Sequence, residues 1–205
     1  MATLEDLYKV SGAPIDLEEF ESIFNETKSD KATRHNYHEV YSALFSNRDK
    51  VGNILEIGIY HGGSLRSWKH LFKNSNILGL DYEKSFFITE DRIESMYVDQ
   101  RDIRTFYDVY EATDAKMYDF IVDDGCHDPV ETLTTFNATL PWLNINGWFI
   151  VEDIRLVDEK TWEKVSNALP SNYKSFLINM NHLRDMENDP YGLKDNIVLA
   201  VKRIS

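Results

Sequence analysis

A single cysteine, Cys126, rules out an intrachain disulfide and leaves too few thiolates for a zinc cluster. That usage fits a reducing compartment. No apolar run approaches the ~20 residues of a membrane span, and the opening MATLEDLYKV lacks the basic-then-apolar order of a secretory signal. A cytoplasmic location with no membrane partner is expected. Basic residues are scarce as well: 22 Lys and Arg stand against 35 Asp and Glu, a net charge of −13 with no Lys/Arg cluster. The mean field therefore repels phosphate backbones and anionic lipid, so no nucleic-acid partner is expected. Nine Gly and five Pro in 205 residues, with 42% hydrophobic and 28% charged residues, exclude fibrous and disordered classes. The length suits one well-buried domain. A homo-oligomer is left open.

What is present is a change of rhythm near residue 51. Residues 1–50 read as a helical lead-in, a cap belonging to the same domain as residues 51–205. Asp16 and Glu19 form a D-x-x-E capping box ahead of a short amphipathic helix ending near Phe24. Tyr37, Val40, Tyr41, Leu44 and Phe45 then recur at helical spacing as one apolar stripe. From residue 53, short apolar runs alternate with helical ones. Strands are expected near 53–59, 76–81, 95–99, 118–124, 147–152, 174–180 and 196–202, with helices near 64–73, 102–112, 128–140 and 158–168. Such alternation implies an α/β fold: a doubly wound, Rossmann-like, mainly parallel seven-stranded sheet with helices on both faces. The polar run NHLRDMENDPYG, within 181–195, reads as a long exposed loop that could serve as a lid. Trp68, Leu65, Leu71 and Phe72 read as core facing the sheet, and Trp142 and Trp148 as packing residues.

The segment NILEIGIYHGGS ends its strand on Gly58, Gly62 and Gly63 and opens a helix at Ser64. Free backbone N–H groups at such a turn can receive an anion, and the absent side chains let a ligand approach. A phosphate-binding P-loop is excluded, because Gly63-Ser64-Leu65 lacks the Gly-Lys-Ser/Thr ending. The G-x-x-x-G-G spacing also departs from the dinucleotide fingerprint G-x-G-x-x-G, which weakens a dinucleotide reading without removing it. The zwitterionic end of S-adenosylmethionine suits the turn better. Its carboxylate would meet the free N–H groups, and its ammonium would reward Glu56, a charge that burial in the strand otherwise penalises. Asp81, about twenty residues further on at the end of NILGLD, is placed to accept from ribose hydroxyls.

Two more strands end in acids. FIVDDGCH carries Asp123, Asp124 and His127, and WFIVEDI carries Glu152 and Asp153. In a doubly wound sheet, ligands sit beyond the carboxyl ends of strands, so these acids should converge. Converging carboxylates need a counter-charge, for which a hard divalent cation such as Mg²⁺ is suited; Asp124, Glu152 and Asp153 are the expected ligands. Such a cation lowers the pKa of a bound hydroxyl, and His127 could take the proton near neutral pH. Asp128 before Pro129 should cap the next helix.

In order, LEIGIYHGGSLRSW, GLDYE, YVDQRD, YDFIVDDGCH and GWFIVEDI resemble the motifs of class I S-adenosylmethionine-dependent methyltransferases. The closer resemblance is to metal-dependent sugar O-methyltransferases of the macrocin and mycinamicin type, over roughly residues 28 to 202. The lead-in KSDKATRHNYHEVY is similar to that family's D-K-x-x-x-H-x-Y-x-x-x-Y segment. The resemblance implies cofactor contacts at Glu56, Gly58, Gly62, Gly63, Ser64 and Asp81, with Asp99 and Gln100 near the adenine; Asp123 is counted with them. It also implies metal ligation by Asp124, Glu152 and Asp153, with Asp124 and His127 as catalytic residues and His127 as the base. Cys126 stands where the family pattern has serine. The expected activity is methyl transfer to a hydroxyl of a sugar or glycosylated small molecule. A catechol-type acceptor is the nearest alternative, and a dinucleotide-dependent oxidoreductase or a non-catalytic cofactor-binding protein the more distant ones.

Overall fold

The computed structural model describes residues 2–13, 16–183 and 194–205. The lead-in contributes α1 (Leu4–Ser11), α2 (Leu17–Glu26) and α3 (Tyr37–Ser42). Then follow β1 (Asn53–Ile57), α4 (Gly63–Leu71), β2 (Asn76–Asp81), β3 (Ile93–Tyr97), α5 (Ile103–Ala112), β4 (Tyr118–Asp123) and α6 (Pro129–Thr139). The chain ends with β5 (Leu143–Ile154), α7 (Glu159–Ala168), β6 (Tyr173–Asn179) and β7 (Ile197–Arg203). Among the described residues no helix is long and apolar enough to cross a membrane. Most of the expected lid loop, including Asp185, Glu187, Asp189 and Tyr191, lies outside the described residues.

The strands form one sheet in the order β3-β2-β1-β4-β5-β7-β6. β1 to β5 pair in parallel, whereas β7 lies antiparallel between β5 and β6. The expected mainly parallel sheet is thus seen in β1 to β5, and β7, antiparallel to both its neighbours, makes the whole a mixed sheet. Parallel neighbours need a crossover, usually a helix, and β6 returns to β7 with no α-helix among the described residues between them. The strand order reverses between β1 and β4, which opens a crevice at their carboxyl ends.

Each face of the sheet carries an apolar layer. On one, the lead-in is part of the core: Phe24 meets Trp68 edge-on at 5.4 Å, and Trp68 meets Tyr41 at 4.8 Å and Phe120 at 5.2 Å. On the other, Phe136 packs on Phe149 at 5.1 Å and Tyr110 stacks on Trp142 at 5.3 Å. The tryptophans expected as packing, Trp142 and Trp148, are buried. Asp16 does precede α2, but it makes no side-chain cap; its carboxylate turns to Arg48 at 3.2 Å instead. The capping box that forms is Thr3 with Asp6, at the start of α1. Asp128 caps α6 as expected, accepting from Val130 N at 3.0 Å ahead of Pro129.

Candidate active site

A cleft of about 840 Å³ opens where β1 and β4 part. At its floor the two strand ends nearly touch. Gly58 has φ +95°, and a Cβ there would lie 2.0 Å from the carbonyl oxygen of Asp124, so only glycine fits. Gly62 caps α4, and a Cβ on Gly63 would press against the backbone of residues 27–29 at 3.0–3.1 Å. The turn between α2 and α3 thus lies directly against the start of α4.

The residues named from the sequence fall into two layers. Gly58, Gly63, Ser64, Asp81, Asp99, Gln100, Asp124, His127 and Asp153 line the cleft. Glu56, Asp123 and Glu152 stand behind its wall, no more than 2% exposed. Glu56 accepts from Ser64 Oγ at 2.9 Å and from Trp68 Nε1 at 2.8 Å on one oxygen. Its other oxygen has no hydrogen-bond partner. Asp81, at the end of β2, accepts from the backbone of Ile59 at 2.8 Å and Glu83 at 2.9 Å, which fixes the turn after β1. Gln100 joins the ends of β3 and β4: it donates to Asp123 at 3.1 Å and Thr135 at 2.7 Å and accepts from Cys126 N at 2.9 Å.

The acids of β4 and β5 do converge. Between Val151 and Ile154, β5 bulges, with Glu152 and Asp153 together opposite Val198 of β7, whose neighbours Leu199 and Ile197 keep the pairing. A bulge re-aims side chains that would otherwise alternate across the sheet. Asp153, at φ +53°, turns into the cleft, and His127, at φ +57°, turns toward it from the loop after β4. Two non-glycine residues held in the left-handed region at one spot mark a place where the surroundings override backbone preference. One donor atom each from Asp124, His127 and Asp153 lies within 4.8 Å of the others. His127 Nε2 is 3.7 Å from Asp153 and 3.9 Å from Asp124.

Four residues that the sequence reading did not assign complete the cluster, all from the lead-in. Lys31 is 1% exposed, and its ammonium bonds to Asp124 at 2.7 Å, to Glu152, and lies 3.6 Å from Glu56. Tyr41 donates to the second oxygen of Glu152. Tyr37 donates to Asp153 at 2.6 Å and accepts from its backbone N at 3.1 Å. His35 stacks on Tyr37 at 4.6 Å, with Nε2 3.5 Å from Asp153 and neither ring nitrogen hydrogen-bonded. The signal was the segment D-K-x-x-x-H-x-Y-x-x-x-Y, whose Lys31, His35, Tyr37 and Tyr41 all reach these acids. Helical spacing places Tyr37 and Tyr41 in an apolar stripe, and His35, Tyr37 and His38 could be expected at most to close over an acceptor, because spacing does not reveal where a hydroxyl points.

Burial governs the electrostatics. It pushes the carboxyls of Glu56 and Asp123 up to about 7, raises Asp153, and carries Glu152 well above the usual range, with Lys31 opposing at Glu56 and Glu152. Asp124 is instead lowered: Lys31 and His127 outweigh its burial. Burial opposes the charge on Lys31, but Asp124, Glu152 and Glu56 outweigh it and hold the ammonium well above the ordinary lysine value. Acids thus exceed fixed cations in a largely buried cluster. Carboxylate oxygens with a nearby imidazole suit a hard divalent ion; the donors that group here are Asp124, Asp153 and His127, whereas Glu152, expected as a ligand, is held behind the wall by Lys31 and Tyr41.

The fold is that of a solved methyltransferase. With a TM-score of 0.68 and 23% identity, the chain matches the MycE methyltransferase of the mycinamycin biosynthetic pathway, solved in complex with Mg, SAH and mycinamycin VI, over 95% of this chain and 54% of that one. No protein-family profile matches. Its homologues by sequence are sugar O-methyltransferases. The chain is 32% identical over 135 residues to the 8-demethyl-8-alpha-L-rhamnosyl tetracenomycin-C 2'-O-methyltransferase of Streptomyces olivaceus, covering 62% of this chain and 35% of that protein. It is 34% identical over 114 residues to the demethylmacrocin O-methyltransferase of Streptomyces fradiae, covering 52% and 28%. The matched stretches span about a third of these relatives' length.

Proposed function

We propose that the protein is an S-adenosylmethionine-dependent O-methyltransferase acting, with Mg²⁺ or a similar divalent cation, on a hydroxyl of a sugar or glycosylated small molecule. The observation that carries this reading is the shared cleft: the turn after β1 and the acids at the ends of β4 and β5 open into one cavity. Methyl donor and acceptor could meet there. The sequence relatives support the acceptor class.

In this reading the free N–H groups at the start of α4 take the cofactor's carboxylate, and Asp81 takes its ribose. Asp99 and Gln100 lie toward the adenine, while Glu56 and Asp123 act from behind the wall. Asp124, Glu152 and Asp153 would hold the cation, which supplies a lowered pKa at the acceptor hydroxyl. His127 Nε2 accepts the hydroxyl proton. The cofactor, when bound, would supply an electrophilic sulfonium methyl to that oxygen, a C–O bond replacing the C–S bond with the thioether as leaving group, and positioning by the cleft would supply much of the rate. Residues 1–50 serve as a cap on the same domain, through Lys31, Tyr37 and Tyr41.

The test is calorimetry of chelator-treated protein with S-adenosylmethionine and with NAD, each with and without Mg²⁺, followed by mass spectrometry of rhamnosylated and catechol acceptors. Binding of S-adenosylmethionine alone and metal-dependent methylation of the glycoside are expected. No binding by folded protein overturns the reading, and transfer to the catechol alone moves it to the phenolic alternative.

A further inference from the structure

Lys31 has no place in the proposed methyl transfer, yet it is the most deeply buried charge facing the acids. It comes from the turn between α2 and α3, not from the sheet, and its backbone is held there: Lys31 O accepts from Tyr37 N at 2.9 Å. Its ammonium reaches three separate strand ends, bonding to Asp124 after β4 and Glu152 on β5 and facing Glu56 on β1. A buried ammonium is retained only when paired, because its desolvation cost is large. Here the pairing is with two of the carboxylates that the proposed function assigns to a divalent cation.

We propose that Lys31 is the resident counter-cation of this cluster. It assembles the acids before any metal arrives, and an incoming divalent ion competes with it for Asp124 and Glu152. This rests on the methyltransferase reading only for the identity of the competitor. The free partners are already arranged for such an exchange. Tyr41 can hold one oxygen of Glu152 while the other is released, and Tyr37 holds one oxygen of Asp153, leaving the second toward His127. Lys31 is a positioning residue, and it sets metal affinity by opposing it. Removing its charge removes a cation that shares an acid with the incoming ion.

The test compares the chelator-treated full chain with its Lys31→Met variant by calorimetric titration with Mn²⁺ and by thermal unfolding. A lower metal-free Tm is expected in the variant, together with at least tenfold tighter Mn²⁺ binding and a larger rise in Tm on adding Mn²⁺. Unchanged or weaker Mn²⁺ binding, or no binding by either protein, overturns the proposal. Should the variant fail to fold, hydrogen exchange over residues 29–37 of the wild type decides. Strong protection in the metal-free protein, declining when Mn²⁺ is added, supports the exchange. Protection that appears only with Mn²⁺ would mean the metal, rather than Lys31, holds the segment. S-adenosylmethionine titration, run in parallel on the wild type, separates the two readings: its failure sinks the methyltransferase assignment while the Tm and exchange results still judge Lys31.

Discussion

The cleft has two walls built by different means. The wall after β1 is local: Gly58, Gly62, Gly63 and Ser64 lie within one turn, and Asp81 on the neighbouring strand fixes that turn through the backbone of Ile59. The wall after β4 and β5 is assembled from afar. Lys31 is 93 residues from Asp124 and 121 from Glu152 in sequence, and Tyr37 is 116 from Asp153. The first wall presents backbone and open space; the second presents buried charge whose balance depends on the lead-in. A ligand's anionic end can be received by geometry alone, whereas a cationic centre needs several buried carboxylates whose charge no single stretch of chain can balance.

The contrast can be broken most sharply at His127. On the proposed function, His127→Ala should lower the rate by about 10²–10⁴, the range for a lost general base, while calorimetry shows S-adenosylmethionine affinity unchanged. A matching loss of cofactor affinity would mean that the two walls are not separable. Gly58→Ala tests the local wall. A methyl group placed 2.0 Å from a carbonyl oxygen at φ +95° should cost about 2–5 kcal/mol of stability, the combined order of overpacking and backbone strain, read by denaturant unfolding. Full stability would show that the strand ends can separate freely. Asp81→Ala should have the smallest effect, weakening cofactor binding by about 1–3 kcal/mol through unpaired polar groups, with a lower Tm because Ile59 N loses its acceptor. Intact affinity would remove Asp81 from the ribose.

The same division explains what could be read in advance. The central parallel strands β1, β4 and β5 were legible because strands buried on both faces read as near-continuous apolar runs. The antiparallel insertion of β7 was not, since the pattern NIVLAVK carries no direction. The boundaries of β5 were also missed: the strand begins at Leu143 rather than near 147, because Leu143–Gly147 offers no apolar run to announce it. At the site, Asp124, Glu152 and Asp153 could be nominated as strand-end acids, but not their division between cleft and wall. The bulge that turns Asp153 inward depends on pairing with β7, which pairing alone reveals. Asp16 shows the converse, a good capping pattern overridden by Arg48 from the far end of the lead-in.

By itself the sequence determined the alternation of strand and helix, the glycine turn after β1, and the acids that end β2, β4 and β5, all consequences of hydrophobic period and local backbone preference. That nothing larger fits at Gly58 was decided by the approach of Asp124 at the end of β4. Only the tertiary structure decided which of those acids face solvent and which face Lys31. Charge in a protein interior is a property of the whole surroundings: burial raises the carboxyls, a lysine from a distant turn answers them, and neither can be computed from a residue's neighbours in the chain.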